Sequence, residues 1–465
     1  MNILIQNATV VTSTRTFKSD IQIAEGKIKA VERNITPKNQ DKIIDATGKY
    51  VFPGGVDPHV HFNLPTPAGF SADNFFTGSR AALYGGTTTI IDFVTPLKGQ
   101  SLVEALEKRI DEASNSLIDY SLHVSPVEWR NTTEQEIKEC IKRGFTSFKI
   151  YMAYKKSIGL NDNAILKVMQ VVAKAGGIVT VHAEMGDEIE RLRDKFFAEG
   201  KKEPLYHPLS RPSHTESNAV KRVIEMAAQT NCPLYIVHIS AKESIEHIWR
   251  AQKNGQKVFA ETCPHFLILN DSAYNGSFEQ TAKYVLSPPI RKGEDSQALW
   301  AAMADGTIQT IGTDHCPFTQ KQKEFGKGDF RKIPNGAGSV EHRMSLLYTY
   351  GVLEDRINLN QFVNLTSTQA AKIFGLYPQK GEIAAGSDAD IIIWNPNKEE
   401  SISSNAHLSN CDISIYEGVK THGAAETIYM QDRMLRLKTD VKEREDSLLP
   451  YRYGKLLLRE PSPSL

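Results

Sequence analysis

Eight short runs of β-branched and other apolar residues recur along the middle of the chain, each followed by a stretch long enough to return as a helix. They are GGVDPHVHF (54–62), TTTIIDFV (87–94), DYSLHVSP (119–126), FTSFKIYM (145–152), GIVTVHAE (177–184), PLYIVHIS (233–240), KVFAETC (257–263) and TIQTIGTDH (307–315). The intervening SLVEALEKRIDEASN, TTEQEIKECIKRG, NDNAILKVMQVVAKAG, ESNAVKRVIEMAAQTN and KESIEHIWRAQKNG carry apolar residues at helical spacing. Several close on Gly or Asn, which accept left-handed C-cap geometry. Parallel strands need such crossovers, so this rhythm predicts an α/β fold built on a (β/α)8 TIM barrel. A doubly wound open sheet competes. However, no GxGxxG follows the first strand, and the Gly pairs at 54–55 and 85–86 precede strands instead of opening helices.

Both ends of the chain have another texture. ILIQNATVV, DIQIAEGKIKAV and KIIDATGKYVF near the start alternate in the manner of antiparallel strands, and GEIAAGSDADIIIWNP and AETIYMQDRMLRL repeat the pattern near the end. Neither group can bury a core alone. The expected organisation is a small β-sandwich-like domain from residues 1–52 and 381–440, a barrel over 53–380, and a tail over 441–465. A chain of 465 residues with 40% hydrophobic content suits this division.

Lys plus Arg equals Asp plus Glu at 55 each, which argues against a global basic field for nucleic acid. No run approaches the roughly 18 apolar residues of a membrane span, and MNILIQNATVVTSTRTF lacks the features of a secretory leader. The five cysteines are scattered with no CxxC pair, as expected of a reduced, cytoplasmic setting.

The most telling residues are polar ones at the strand ends. His59 and His61 close the first run, one residue apart, so that their side chains share a face. Lys149 lies in the fourth run, His182 in the fifth, His238 in the sixth and Asp314 in the eighth. In a closed barrel these ends converge on the rim that carries function. Imidazole and carboxylate are suitable ligands for zinc and similar divalent ions. Lys149 fits less simply, because an ammonium has no lone pair; as a residue it could equally be a salt-bridge partner or a substrate clamp. Tyr154 could direct a phenol at a developing oxyanion or be an ordinary rim tyrosine. Asn335 in IPNGAG could bind an amide or simply mark a turn. Cys263 and Cys316 look like nucleophiles but also suit small buried thiols.

Taken together, GGVDPHVHF, FFTGSRAALYGGTTTIIDF, SFKIYMAY, VHAE, VHIS, ETCPHF, YVLSPPIR, GTDHCPF, KIPNGAG and LTSTQAAKIFGLYPQKGEIAAGSDADIIIW resemble the dihydropyrimidinase and D-hydantoinase family of cyclic amidohydrolases. The resemblance covers nearly the whole chain. It implies two divalent metal ions, usually zinc. His59, His61 and Asp314 would hold the more buried ion, and His182 and His238 the more exposed one. It also implies that Lys149 carries a carbamate formed with carbon dioxide, whose oxygens bridge both ions. Asp314 would be the general base and acid, and Tyr154 would bind the substrate carbonyl and the oxyanion. Ser287 and Asn335 would read the cyclic amide.

The same resemblance places Leu64, Phe70, Tyr151 and Ile158 around the ring substituent, as an apolar pocket. Dihydroorotase-like members carry an arginine soon after the histidine pair, whereas here HFNLPTPAGF has none. The expected substrates are therefore 5-substituted hydantoins and dihydropyrimidines. Asn63 departs from the aspartate common in hydantoinases and looks more like allantoinases, which makes allantoinase the alternative activity. A catalytically inactive structural relative is the alternative of another class. A homodimer or homotetramer is implied by the resemblance, and the tail could lie across its interface or pack on its own chain.

Overall fold

The computed structural model describes residues 2–430, 432–437 and 454–460. Its centre is a ring of eight parallel strands in sequence order: β1 (Gly55–Val60), β2 (Thr87–Val94), β3 (Asp119–Val124), β4 (Ser147–Tyr151), β5 (Ile178–His182), β6 (Leu234–Ile236), β7 (Val258–Thr262) and β8 (Thr310–Ile311). The ring closes where Val60 bridges His315 in parallel and the His61 N–H donates to the His315 carbonyl at 2.9 Å. Every predicted run contains its strand, and Thr87–Val94 matches throughout. The last is much shorter than 307–315, because the chain leaves the ladder after Ile311 to turn toward the rim.

The returns are amphipathic helices such as Leu102–Ala113, Asp162–Lys174 and Ser213–Thr230. Ser213–Thr230 ends on Asn231 at φ +51°, the left-handed cap read from the sequence. Alternation along the strands divides their side chains. On β4, Phe148 and Ile150 join the core beneath the helices, while Ser147, Lys149 and Tyr151 lie on the opposite, inner face. The interior is filled at its lower end by Val56, Ile91, Ile178 and Tyr235, packed against Phe374 and Leu457. Phe374 sits 4.9 Å from the Tyr235 ring and 5.0 Å from that of His123.

The two chain ends form one mixed sheet of eight strands, with its own core of Ile3, Ile5, Val10, Ile21, Ile391 and Ile393 among others. It is not antiparallel throughout. Strand Ile3–Val11 pairs antiparallel with Thr16–Ala24 but parallel with Lys42–Asp45 and Tyr50–Pro53. The reason is topological: Lys27–Glu32 takes the far side of the hairpin, so the chain must cross to the other edge and arrives there in the first strand's direction.

Of the tail over 441–465, only residues 454–460 fall within the described residues, and they pack on their own chain. Leu456 bridges Tyr120, and the Leu457 N–H donates to the Tyr120 carbonyl at 2.7 Å. The Arg459 guanidinium is buried at the barrel base, donating to Ser147 Oγ at 2.8 Å and to the Leu122 carbonyl at 2.7 Å. Among the described residues no helix is long and apolar enough to cross a membrane.

Candidate active site

The strand ends converge on a cavity of about 710 Å³ at the C-terminal rim of the barrel. His59 Nε2 and His61 Nε2 approach to 3.2 Å, and Asp314 Oδ1 lies 3.1 Å from the first and 3.2 Å from the second. The potential ligand atoms of these three residues lie within 4.8 Å of one another. Buried Asp57 holds the two strands that carry them, accepting from Thr313 Oγ1 at 2.6 Å, from Thr313 N at 3.1 Å and from His59 N at 3.1 Å.

Beside this group, His182 Nδ1 and His238 Nε2 face each other at 2.9 Å. Alternation on β6 would turn Val237 inward and His238 outward. Left-handed backbone at His238, φ +41°, brings its imidazole to the cavity instead. Asp314 and Tyr154 also adopt positive φ, +50° and +56°. Non-glycine residues hold that conformation only where their surroundings enforce it, and here all three sit at the site.

Lys149 is fully buried, and among the described residues its Nζ has no hydrogen-bond partner. It lies over the Phe93 ring at 4.9 Å and the Tyr151 ring at 5.3 Å. The salt-bridge reading of Lys149 is thereby set aside. Burial lowers its pKa to about 8, against the pull of Asp314 and Glu261. With Lys149 in the same cavity, this nitrogen and carboxylate donor set fits a divalent metal centre.

Two carboxylates that the sequence reading did not single out orient the imidazoles. Glu261 is fully buried and accepts from His59 Nδ1 at 2.6 Å, from Tyr235 Oη at 2.7 Å and from His238 N at 3.2 Å. Glu184 accepts from His182 Nε2 at 2.7 Å and from Arg211 at 2.5 Å, and Arg211 holds its carboxyl well below the usual range despite burial. Each bond occupies one ring nitrogen and leaves the other for a metal, so the tautomer is set from behind. Glu184 follows His182 by two residues, which puts it on the same face; that spacing was the available signal.

Leu64, Tyr151, Tyr154, Ile158, Ser287 and Asn335 all line the cavity. Phe70 does not: it is 58% exposed on the hairpin formed by Pro65–Thr66 and Gly69–Phe70, while residues 64–68 of that hairpin make the wall. Burial pushes the Tyr154 phenol pKa up, so it remains a proton donor. Phe325, Arg193, Arg331 and Lys332 also line the cavity, from segments whose approach to the barrel has no local signature. Asn63 is not among the lining residues. It makes a turn at φ +48°, a conformation asparagine tolerates, and its N–H donates to the Asp73 carbonyl at 2.7 Å. Cys263 and Cys316 are buried, and burial raises both thiols well above their ordinary pKa, which keeps them from acting as thiolate nucleophiles.

Residues 50–425 match the model of the amidohydrolase family. The D-hydantoinase of Ralstonia pickettii is 42% identical over 437 residues, 94% of this chain and 95% of its own. The dihydropyrimidinase of Dictyostelium discoideum is 41% identical over 431 residues, 91% of this chain and 85% of its own. The crystal structure of dihydropyrimidinase from Brevibacillus agri NCHU1002 superposes with a TM-score of 0.95 at 37% identity, covering 99% of both chains. With a closed barrel, a His-Asp cluster on its rim and relatives of this kind along almost its whole length, the chain belongs to the amidohydrolase family, among the cyclic amidohydrolases of the hydantoinase and dihydropyrimidinase branch.

Proposed function

We propose that this enzyme hydrolyses the ring amide of 5-substituted hydantoins and 5,6-dihydropyrimidines to open-chain N-carbamoyl amino acids, with two zinc ions and a carbamylated Lys149. The observation that carries the reading is the meeting of His59, His61, Lys149, His182, His238 and Asp314 in one cavity with Tyr154. His59, His61 and Asp314 would hold one ion, His182 and His238 the other, and the Lys149 carbamate would bridge them. Carbamylation requires a neutral amine to attack carbon dioxide, forming the N–C bond and releasing a proton. An Nζ whose pKa is lowered by burial supplies that amine.

When bound, the ions would lower the pKa of a water and polarise the scissile carbonyl. The protein's own groups do the rest. Asp314 Oδ takes the proton of the attacking water and delivers it to the ring nitrogen as the C–N bond breaks, which avoids expelling an amide anion. The Tyr154 phenol donates to the carbonyl oxygen as negative charge gathers there. Ser287 and Asn335, which line the same cavity, orient the ring, and Leu64, Tyr151 and Ile158 surround its substituent. We further propose that residues 53–380 form the hydrolytic unit, and that the enzyme is a cytoplasmic homodimer or homotetramer, both on the family resemblance.

Comparing kcat/KM for dihydrouracil, 5-phenylhydantoin, hydantoin and allantoin tests the reading. Turnover concentrated on the first three supports it. Dominant allantoin turnover would replace it with an allantoinase, and metal binding without turnover of any ring would make the chain an inactive relative.

A further inference from the structure

The cavity walls come from segments distant in sequence, and one short element grips three of them. Residues Gln320–Lys323 form a helical turn capped by Thr319, whose hydroxyl accepts from Gln322 N at 3.2 Å while Gln322 Oε1 accepts from Thr319 N at 2.9 Å. This cap fixes the Gln322 amide so that Nε2 points outward. It donates to the Phe70 carbonyl at 2.6 Å and the Ala68 carbonyl at 3.3 Å, both on the hairpin beside the cavity.

The next side chain points the other way. Lys323 is 1% exposed, and its Nζ donates to the carbonyls of Val285 at 2.9 Å, Pro334 at 2.8 Å and Gly336 at 2.8 Å. Val285 stands two residues before Ser287, and Pro334 and Gly336 flank Asn335. Only an ammonium has three N–H bonds to give, so the cage selects the charged form. Burying that charge is costly unless every proton is used, and here every proton is. Burial still draws its pKa down to about 7.

We propose that Gln322 and Lys323 are paired positioning residues: Lys323 sets the backbone that reads the ring amide, and Gln322 sets the hairpin that faces the ring substituent. Neither side chain lines the cavity, so both act through the segments they hold. The proposal rests on the hydantoinase reading above, because it assigns ring and substituent to different lining residues.

The test uses the metal-loaded full chain and measures kcat, KM, metal content and Tm for wild type, Lys323→Met and Gln322→Met, with dihydrouracil and 5-phenylhydantoin. Lys323→Met strands three buried carbonyls and should raise KM for both substrates together, by about tenfold or more. Gln322→Met should shift the ratio of kcat/KM between the two substrates by about fivefold or more. Metal content should hold in both variants. An unchanged ratio in Gln322→Met overturns the pairing, as does a Lys323 variant that lowers Tm or kcat without moving KM. Should Lys323→Met not fold, Lys323→Arg replaces it, since a planar guanidinium cannot give three convergent bonds from one nitrogen. Wild type that turns over neither substrate removes the hydantoinase reading and this inference with it; active wild type with flat ratios removes only the inference.

Discussion

Lys149 is the residue at which sequence and structure contribute different things. From the sequence it is a cation among metal ligands, a poor fit for any ordinary role. In the structure its Nζ is buried over the Phe93 and Tyr151 rings with no hydrogen-bond partner among the described residues, and its pKa falls to about 8. A carbamate would supply the missing partners by turning the amine into a two-oxygen anion. Lys149→Ala should therefore reduce activity to below about a hundredth of wild type and lower metal occupancy, with partial recovery when a short carboxylic acid is added. Activity assays and metal analysis of the variant, with and without propionate, check this; full activity in the variant would refute the carbamate. The candidate ligands were legible in the sequence because alternation and strand ends define an inner rim. Glu184 and Glu261 were harder to see, since a buried carboxylate behind an imidazole resembles any other acidic residue until the fold closes.

At the scale of the element, β8 shows how little strand is needed when the turn after it carries the chemistry. Only Thr310 and Ile311 pair with β7, yet the chain then passes Gly312 and Thr313 to set Asp314 against His59 and His61. Gly312 is there because the space is taken. A Cβ would come within 2.5 Å of the Glu261 carboxylate and 2.8 Å of His59 Cβ. Gly312→Ala should cost about 1–3 kcal/mol of stability. It should also weaken metal binding by about 10–100-fold, through displacement of Glu261 from His59. Thermal unfolding and a chelator competition would measure the two effects separately. The sequence made the strands and helices legible because each is written in local periodicity. It left the hairpin at 65–70 and the Gln320–Lys323 turn illegible, because their positions come from side chains bonding to distant carbonyls. Phe70 was misplaced for that reason: the hairpin was in view, but which of its residues faced inward was not.

For the molecule as a whole, the join between barrel and sheet includes one ammonium shared by three carboxylates. Lys380 Nζ lies 2.5 Å from Asp119, 2.9 Å from Asp388 and 2.7 Å from Asp390, at the foot of the barrel. Burial first, and then the neighbouring carboxylates against the pull of Lys380, raise the Asp390 pKa from 3.8 to about 6. A carboxyl whose folded pKa is raised contributes stability that is present below the unfolded pKa and lost as pH climbs through the folded one. Asp390→Asn removes that loss. Relative to wild type it should gain on the order of 1–3 kcal/mol between about pH 4 and pH 7, read from urea midpoints at the two pH values. A constant offset between the two proteins would show that Asp390 does not titrate in this range.

The same Asp119 accepts from the Lys455 N–H at 2.8 Å across 336 residues of sequence, and Arg459 and Leu457 fill the barrel base beside it. A floor laid by residues 454–460 sets an order of assembly. During synthesis the first four barrel strands leave the ribosome long before the segment that seals them, and contacts of such long range are slow to form. The nascent barrel must therefore wait with its base open until residues 454–460 have been made.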